Sequence, residues 1–160
     1  MATIGQSGLE SGLESSDGAS KSDKELLLES LGWASEVEEV VTLRSCEILF
    51  ERYPQVRPLF SRERSLQARM LQDAVVAAVA HLDDEGWLEQ TLGAIGAKHV
   101  DSGVTDEMYP LVGECLIAAL AEPCGPRWTA AHEGAWARTC GALMGLALKG
   151  AARRRAEAAG

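Results

Sequence analysis

The apolar residues of this chain recur at steps of three and four, the spacing that places side chains on one face of an α-helix. A first helix is predicted to begin at Ser22 or Asp23, since either side chain can cap it. A second helix is predicted over 36–53, followed by a proline-containing corner at 54–60 and a third helix over 65–82. Alternating runs of β-branched residues, which would favour strands, do not occur. The pattern therefore predicts an all-α protein.

The second half of the chain predicts one weak helix and two long ones. The weak helix covers 87–99 and contains Gly93 and Gly96, each of which costs about 1 kcal/mol in a helix interior. We therefore expect this helix to be broken or mobile. The long helices follow over 105–122 and from 126 to about 151. Helices with short connections are typical both of bundles and of globins, and periodicity alone does not separate the two.

The two ends of the chain differ from its middle. Residues 1–21 are rich in Gly, Ser and Glu and repeat the sequence SGLE, so we expect a disordered tail without enough apolar surface to fold. One domain is predicted over 22–152, which suits a chain of 160 residues. A basic tail follows at 153–160, whose three arginines favour the C-terminal end of the helix dipole more than an anionic partner.

Charge and composition narrow the possible functions. The formal net charge of −9 and the pI near 4.8 argue against nucleic acid as a partner. The longest apolar run, at 74–80, is too short to cross a bilayer, and the N-terminus lacks the pattern of a signal peptide. Four cysteines without a close pair predict neither a disulfide framework nor a metal site. We therefore expect a cytoplasmic protein without membrane attachment.

Three histidines are candidate metal ligands. His81 and His132 are flanked by polar residues and are more typical of surface or hydrogen-bonded side chains. His99 follows Lys98 at the predicted end of a helix, precedes a corner and lies ten residues before Tyr109. Taken alone, a single histidine is still more often structural than a ligand.

Two blocks of the sequence resemble one protein family. The first reads KHVDSGV over 98–104 and YPLVGE over 109–114, and the second reads LFERYPQVRPLF over 49–60. They resemble the bacterial haemoglobins, that is, the single-domain haemoglobins and the globin domain of flavohaemoglobins. The resemblance extends over 26–148 and implies a globin fold around haem b, with reversible binding of a diatomic gas at its iron.

The resemblance assigns roles to individual positions. His99 is similar to the proximal histidine, whose neutral imidazole binds the haem iron. Phe60 is similar to the aromatic residue that stacks on the haem. The other implied pocket residues are Gln67, Leu71 and Val75 on the distal side, Val104, Tyr109 and Val112 on the proximal side, and Lys98 beside the ligand.

The chain departs from the family on the distal side. Cys46 stands fourteen residues before Phe60, where the family usually has a tyrosine that hydrogen-bonds bound oxygen. A thiol is a weak donor, so we expect poorer stabilisation of oxygen unless Gln67 compensates. Cys46 either fills apolar space or acts as a sixth ligand or redox-sensitive gate.

A second departure is proximal. Family members have a glutamate on the last helix that, with the tyrosine matching Tyr109, hydrogen-bonds the proximal histidine. The equivalent residue here is Ala151, and Cys140 replaces a nearby family tyrosine. Without the carboxylate we expect a less electron-donating histidine and weaker peroxidase-like or nitric-oxide dioxygenase chemistry.

Three functions remain open at this point. The first is reversible binding of O2, NO or CO, with oxygen storage or delivery by a monomer or homodimer. The second is a haem-dependent oxygenase or nitric-oxide dioxygenase that needs an external reductase, since we expect no reductase domain after the last helix. The third is a sensor that relays ligand binding through the weak helix or the N-terminal tail. Fold resemblance alone does not choose among them.

Overall fold

The computed structural model of the protein describes residues 20–37, 40–60 and 63–160, so the tail expected at 1–21 falls almost wholly outside the described residues. Six α-helices and two short 3₁₀ helices follow one another in the described ranges. They are α1 (Asp23–Ala34), α2 (Val41–Arg52), the first 3₁₀ helix (Pro54–Leu59), α3 (Arg64–Ala80), α4 (Glu85–Asp101), α5 (Met108–Cys124), the second 3₁₀ helix (Gly125–Arg127) and α6 (Ala130–Ala159). The described ranges contain no strand, and the predicted all-α class is confirmed.

Side-chain caps fix the starts of two helices. Ser22 Oγ accepts a hydrogen bond from the backbone N–H of Glu25 at 3.2 Å, and the Glu25 carboxylate accepts one from the Ser22 N–H at 2.7 Å. This reciprocal pair is a capping box that satisfies two otherwise unpaired donors of α1. Asp84 accepts from the backbone N–H of Trp87 at 3.0 Å and so caps α4.

The predicted start of the second helix is wrong. We expected it at residue 36, but α2 begins at Val41. Glu36 lies in the turn after α1, where its carboxylate binds Arg127 Nη1 at 3.2 Å. Val37 and Val40 are 40% and 42% exposed, so they do not belong to the apolar face of the helix. Because β-branched side chains have low helix propensity, little free energy is lost when these two residues stay outside the helix.

The expectation of a broken helix over 87–99 is also wrong, because α4 is one continuous helix of 17 residues. A Cβ atom on Gly96 would overlap the backbone carbonyl of Ala147, and one on Gly150 would overlap the carbonyl of Gly93. The glycines therefore allow α4 and α6 to touch along their backbones. This contact offsets the poor helix propensity of glycine. Of the two relays expected for a sensor, the weak helix is thus continuous, and the N-terminal tail lies almost wholly outside the described residues.

The last helix is longer than expected. It reaches Ala159, so residues 153–159 form the end of α6 rather than a separate tail. Arg154 and Arg155 reach across to Asp101 and Asp106, at the end of α4 and before α5. These arginines therefore bind carboxylates of the same chain.

Two apolar clusters form the core. The larger joins α1, α3, α5 and α6 around Trp136, and the smaller joins α2, α5 and the first 3₁₀ helix around Cys115. Trp136 Nε1 donates to Ser30 Oγ at 2.9 Å, so the buried indole N–H is paired. All four cysteines are buried free thiols. Within the described ranges, no helix has both the length and the apolar character needed to cross a membrane.

Candidate functional site

The predicted pocket residues include side chains of α3 and α4, two consecutive helices that pack on different neighbours. α3 packs on α2 and α1, whereas α4 packs on α6. Four of the predicted apolar pocket side chains remain half-buried, although Val75 and Val112 also pack against the two core clusters. The four side chains are Leu71 and Val75 on α3, Val104 in the corner after α4, and Val112 on α5. An apolar group bound between these helices would complete their burial.

His99 lies in the last turn of α4, where backbone hydrogen bonds fix its position. Its carbonyl accepts from the N–H groups of Ser102 at 3.1 Å and Val104 at 3.0 Å. Between these two residues, Gly103 has a φ of +84°, a left-handed conformation that favours glycine. The chain can therefore turn directly after the histidine and enter α5.

The imidazole of His99 is paired on one side only. Its Nδ1 lies 3.2 Å from the hydroxyl oxygen of Tyr109, and Nε2 makes no hydrogen bond with any described residue. Burial lowers the pKa of His99, so the ring is neutral at neutral pH. With the proton on Nδ1 donated to Tyr109, Nε2 carries a free lone pair that can bind a metal.

Tyr109 is 8% exposed and keeps its proton at neutral pH. Burial is the main cause that raises the pKa of its hydroxyl; Asp106 raises it further, and Arg155 lowers it. Ala151 is fully buried and offers no side-chain acceptor for that proton. Burial also raises the pKa of Cys140 to about 11, so its thiol is uncharged. Ala151 and Cys140, the two proximal positions at which the resemblance implies a departure from the family, are therefore both neutral.

Phe60 is held by an aromatic neighbour that the sequence analysis did not single out. The rings of Phe50 and Phe60 meet edge to face with centroids 5.0 Å apart. The guanidinium groups of Arg57 and Arg64 lie 5.7 Å and 5.8 Å from the centre of the Phe50 ring. Phe50 belongs to the block 49–60 that carries the resemblance, but only the fold shows that it supports Phe60.

Cys46 is 4% exposed on α2. Burial is the main cause that raises the pKa of its thiol; Glu47 adds to this and Arg64 opposes it. A protonated thiol is a weak hydrogen-bond donor and a poor metal ligand, which favours the space-filling role of Cys46. One helical turn earlier, the buried hydroxyl of Thr42 has no hydrogen-bond partner, a feature that the sequence did not indicate.

The remaining predicted polar residues differ in their surroundings. Gln67 is half-buried on α3, and its amide makes no hydrogen bond with the described residues. Lys98 is exposed, and its backbone carbonyl accepts from the N–H and the hydroxyl of Ser102, both at 3.1 Å. Lys98 therefore helps to end α4, but the structure shows no contact between its side chain and His99.

The other two histidines are engaged elsewhere. His81 contacts the carbonyl of Ala77 at 2.8 Å through Nδ1, and its ring stacks on Trp87 at 3.8 Å. His132 is buried; its Nδ1 accepts from the Thr129 N–H at 3.2 Å, and its Nε2 lies 3.1 Å from the Glu29 carboxylate. Within the described part of the chain, no group of three or more His, Cys, Asp or Glu side chains could hold a metal ion. A metal at His99 would therefore have to bring its other ligands with it.

Comparison with known proteins identifies the family. The family model for globins matches residues 46–145. This chain belongs to the globin family. The predicted globin fold and the resemblance to bacterial haemoglobins are both confirmed.

Curated relatives of this globin are bacterial. It is 35% identical over 86 residues to an uncharacterized globin-like protein of Aquifex aeolicus, covering 54% of this chain and 62% of that protein. It is 33% identical over 126 residues to a flavohemoprotein of Pseudomonas putida, covering 76% of this chain and 31% of that protein. The chain thus spans less than two thirds of the length of either relative.

Solved structures agree on the fold. A candidate nitric oxide dioxygenase from Rhodothermus marinus, engineered as a carbene transferase, superposes with a TM-score of 0.74 at 27% identity, covering 88% of this chain and 99% of that one. A bacterial globin from Campylobacter jejuni superposes with a TM-score of 0.70 at 22% identity, covering 82% of this chain and 95% of that one.

The cofactor of a globin is haem, and the residues of this chain fit it. The fit rests on a neutral imidazole whose Nε2 makes no hydrogen bond with the described residues, and on half-buried apolar side chains of α3 and α5. A single axial histidine suffices for haem, because the porphyrin supplies four nitrogen ligands itself.

Proposed function

We propose that this globin holds haem through Nε2 of His99 and reversibly binds a diatomic gas, with oxygen storage or delivery as its role. When bound, the haem supplies an iron with one open coordination position for O2, NO or CO. The observation that carries the proposal is the His99–Tyr109 pair, in which Nδ1 is engaged at 3.2 Å and Nε2 is free.

The proximal residues orient the imidazole of His99 but do little to increase its electron donation. We assign the proton to Nδ1, which then donates it to the Tyr109 oxygen 3.2 Å away, and this tautomer leaves Nε2 able to bind iron. Ala151 provides no carboxylate to draw that proton further away from the ring. The imidazole therefore stays a moderate electron donor, which suits reversible binding better than activation of oxygen.

The distal residues give a bound gas an apolar environment. Leu71, Val75 and Phe60 exclude water from the space, while Gln67 supplies a strong side-chain donor on the distal side. The protonated thiol of Cys46 adds a weak donor at most. We therefore expect oxygen to dissociate faster than from globins with a distal tyrosine.

Absorption spectra of the ferric, ferrous and CO-treated protein test this function. We expect a Soret band in the wild type, its loss in His99→Gly, and its partial recovery when imidazole is added to that variant. His81→Ala is the matched control and should keep the wild-type spectrum. A reconstituted wild type without a Soret band, or a His99→Gly variant with an unchanged axial ligand, would overturn the proposal.

An enzymatic role is the second candidate, because the curated relatives include flavohemoproteins. Such an enzyme would also need a reductase that supplies electrons to the haem. Rapid mixing of the reduced, oxygen-equilibrated protein with NO distinguishes the two roles. Fast, stoichiometric nitrate formation supports the dioxygenase, whereas slow formation leaves the carrier role. The neutral residues Cys46 and Ala151 favour the slow result.

We place the protein in the cytoplasm as a monomer or homodimer. The four buried free thiols support this location, because a reducing compartment keeps them unpaired. Cell fractionation tests the location and analytical ultracentrifugation the oligomeric state. Recovery from an exported fraction would contradict the first proposal.

A further inference from the structure

The end of α6 binds both sides of the corner that follows His99. Arg154 Nε lies 3.0 Å from the Asp101 carboxylate, and Arg155 Nη2 lies 2.6 Å from the Asp106 carboxylate. Asp101 is the last residue of α4, two positions after His99, whereas Asp106 precedes α5. We call these two ion pairs, Arg154–Asp101 and Arg155–Asp106, the α6 clasp.

The clasp lies at the junction of α4 and α5, where these two helices make few other contacts with each other. α4 is fixed to α6 by the close approach of Gly96 to Ala147 and of Gly93 to Gly150. α5 packs mainly on α2, and its contacts with α4 are minor. The start of α5 is therefore held near the end of α4 by the corner itself, by the His99–Tyr109 hydrogen bond and by the clasp.

Asp106 lies three residues before Tyr109, so the ion pair with Arg155 is about one helical turn from the hydroxyl that meets the imidazole. The carbonyl of Asp106 also accepts a hydrogen bond from the backbone N–H of Tyr109 at 3.4 Å, so the two residues are joined through the backbone. Arg155 also follows Ala151 by four positions, which places the two on the same face of α6. The helix thus carries an ion pair one turn beyond the place where the family has a carboxylate.

We propose that Arg155 and Asp106 are positioning residues, which hold Tyr109 against His99 while Arg154 and Asp101 anchor the histidine side of the corner. This rests on the proposed function, in which His99 holds the haem. In this globin, α6 supports the axial histidine by fixing the geometry of the corner, without a carboxylate that contacts the tyrosine.

The clasp is exposed to solvent, so its effect on the position of Tyr109 can be tested separately from its effect on folding stability. The side chains of Arg155 and Asp106 are 42% and 52% exposed, and those of Arg154 and Asp101 are 39% and 55% exposed. Pairs of this exposure contribute little to folding and are screened by salt. Loss of the clasp should therefore change the hydrogen bond at His99 without unfolding the protein.

The test uses the full-length, haem-loaded ferrous protein and two readouts that do not depend on activity. The first is the iron–histidine stretching band in resonance Raman spectra, and the second is the rate of haem transfer to an excess of a haem-free acceptor globin. In Arg155→Gln and in Asp106→Asn we expect a lower or broadened band and several-fold faster haem loss, with unchanged helix content by circular dichroism. Arg138→Gln is the matched control, because Arg138 lies nearer the start of α6 and binds Asp23, at the start of α1, at 2.7 Å. It should leave both readouts unchanged.

Two further experiments test whether the effect comes from the ion pair itself or only from the size and shape of the two side chains. The charge swap, Arg155→Asp combined with Asp106→Arg, should move the band back toward the wild type. About 1 M salt, where the Debye length is about 3 Å, should shift the wild-type band in the same direction as Arg155→Gln.

The outcomes distinguish this inference from the function on which it rests. A wild type without a Soret band overturns both. A normal Soret band with an iron–histidine band that is the same in wild type and Arg155→Gln overturns the clasp alone. An equal shift in the Arg138→Gln control also overturns it, because the effect would then be general to surface charge.

Discussion

Replacing Gly96 by alanine tests whether the contact between α4 and α6 depends on a missing side chain. The new Cβ would overlap the backbone carbonyl of Ala147, and a carbonyl inside a helix cannot rotate away as a flexible side chain can. Overpacking of this kind costs about 1–3 kcal/mol, while the gain in helix propensity returns about 1 kcal/mol. Because the obstacle is backbone, we take the upper part of the range and expect a net loss of about 2 kcal/mol.

Gly145→Ala is the control, since Gly145 lies inside α6 with nothing within 4 Å of its missing Cβ. It should stabilise the protein by up to about 1 kcal/mol through helix propensity alone. Urea unfolding followed by circular dichroism at 222 nm measures both. With a slope of about 2 kcal/mol/M, the midpoint of Gly96→Ala should fall by about 1 M, and that of Gly145→Ala should rise. If Gly96→Ala is as stable as the wild type or more stable, the close approach of the two helices is not as described.

Three further predictions concern the core and the site. Trp136→Phe removes the 2.9 Å hydrogen bond to the buried hydroxyl of Ser30, and the free energy of unfolding should fall by about 1–3 kcal/mol in urea titrations; an unchanged midpoint would contradict the pairing. Cys46→Tyr adds a strong donor beside the proposed gas site, and stopped-flow dissociation of oxygen should be at least about tenfold slower than in a Cys46→Phe control; equal rates would show that the residue does not reach the gas. Burial lowers the pKa of His99 from 6.5, so the unfolded chain takes up a proton at higher pH than the folded one, and the haem-free protein should lose stability as the pH falls below about 6.5. His99→Gln should weaken that dependence, measured as urea midpoints between pH 5 and 8, and an unchanged slope would mean that another group causes it.

Local features of the sequence predicted the parts of the fold that local chemistry determines. Ser22 was one of two residues predicted to cap the first helix, and in the structure it forms a capping box with Glu25 at the start of α1. The 3₁₀ corner at Pro54–Leu59 follows from two prolines. Gly96 was misread because its consequence depends on Ala147, which lies on a helix far along the chain. A glycine that weakens an isolated helix can strengthen a contact between two helices, and only the fold shows which effect dominates.

The site shows the same division. The residue patterns set His99 apart from His81 by its surroundings but did not identify it as a metal ligand, and only the resemblance to bacterial haemoglobins did so. The structure then adds what no pattern contains, namely the hydrogen bond from Nδ1 to Tyr109 and the support of Phe60 by Phe50. Arg155 was predicted only to favour the helix dipole, yet it binds Asp106 across the corner. Long-range ion pairs of this kind depend on where two helices end relative to each other, which the sequence does not state.

The two departures from the family have a common physical consequence. Cys46 and Ala151 are buried neutral groups, and the resemblance implies that they stand where the family has a tyrosine hydroxyl and a carboxylate next to the haem. A distal donor stabilises partial negative charge on a bound gas, and a proximal carboxylate increases electron donation toward it, so the two effects support each other. Without the distal donor and without the proximal carboxylate, the site is weakly polar on both faces of the haem. Such a site holds its gas mainly by the iron itself and releases it readily, which is why we favour a carrier over an oxygenase for this globin.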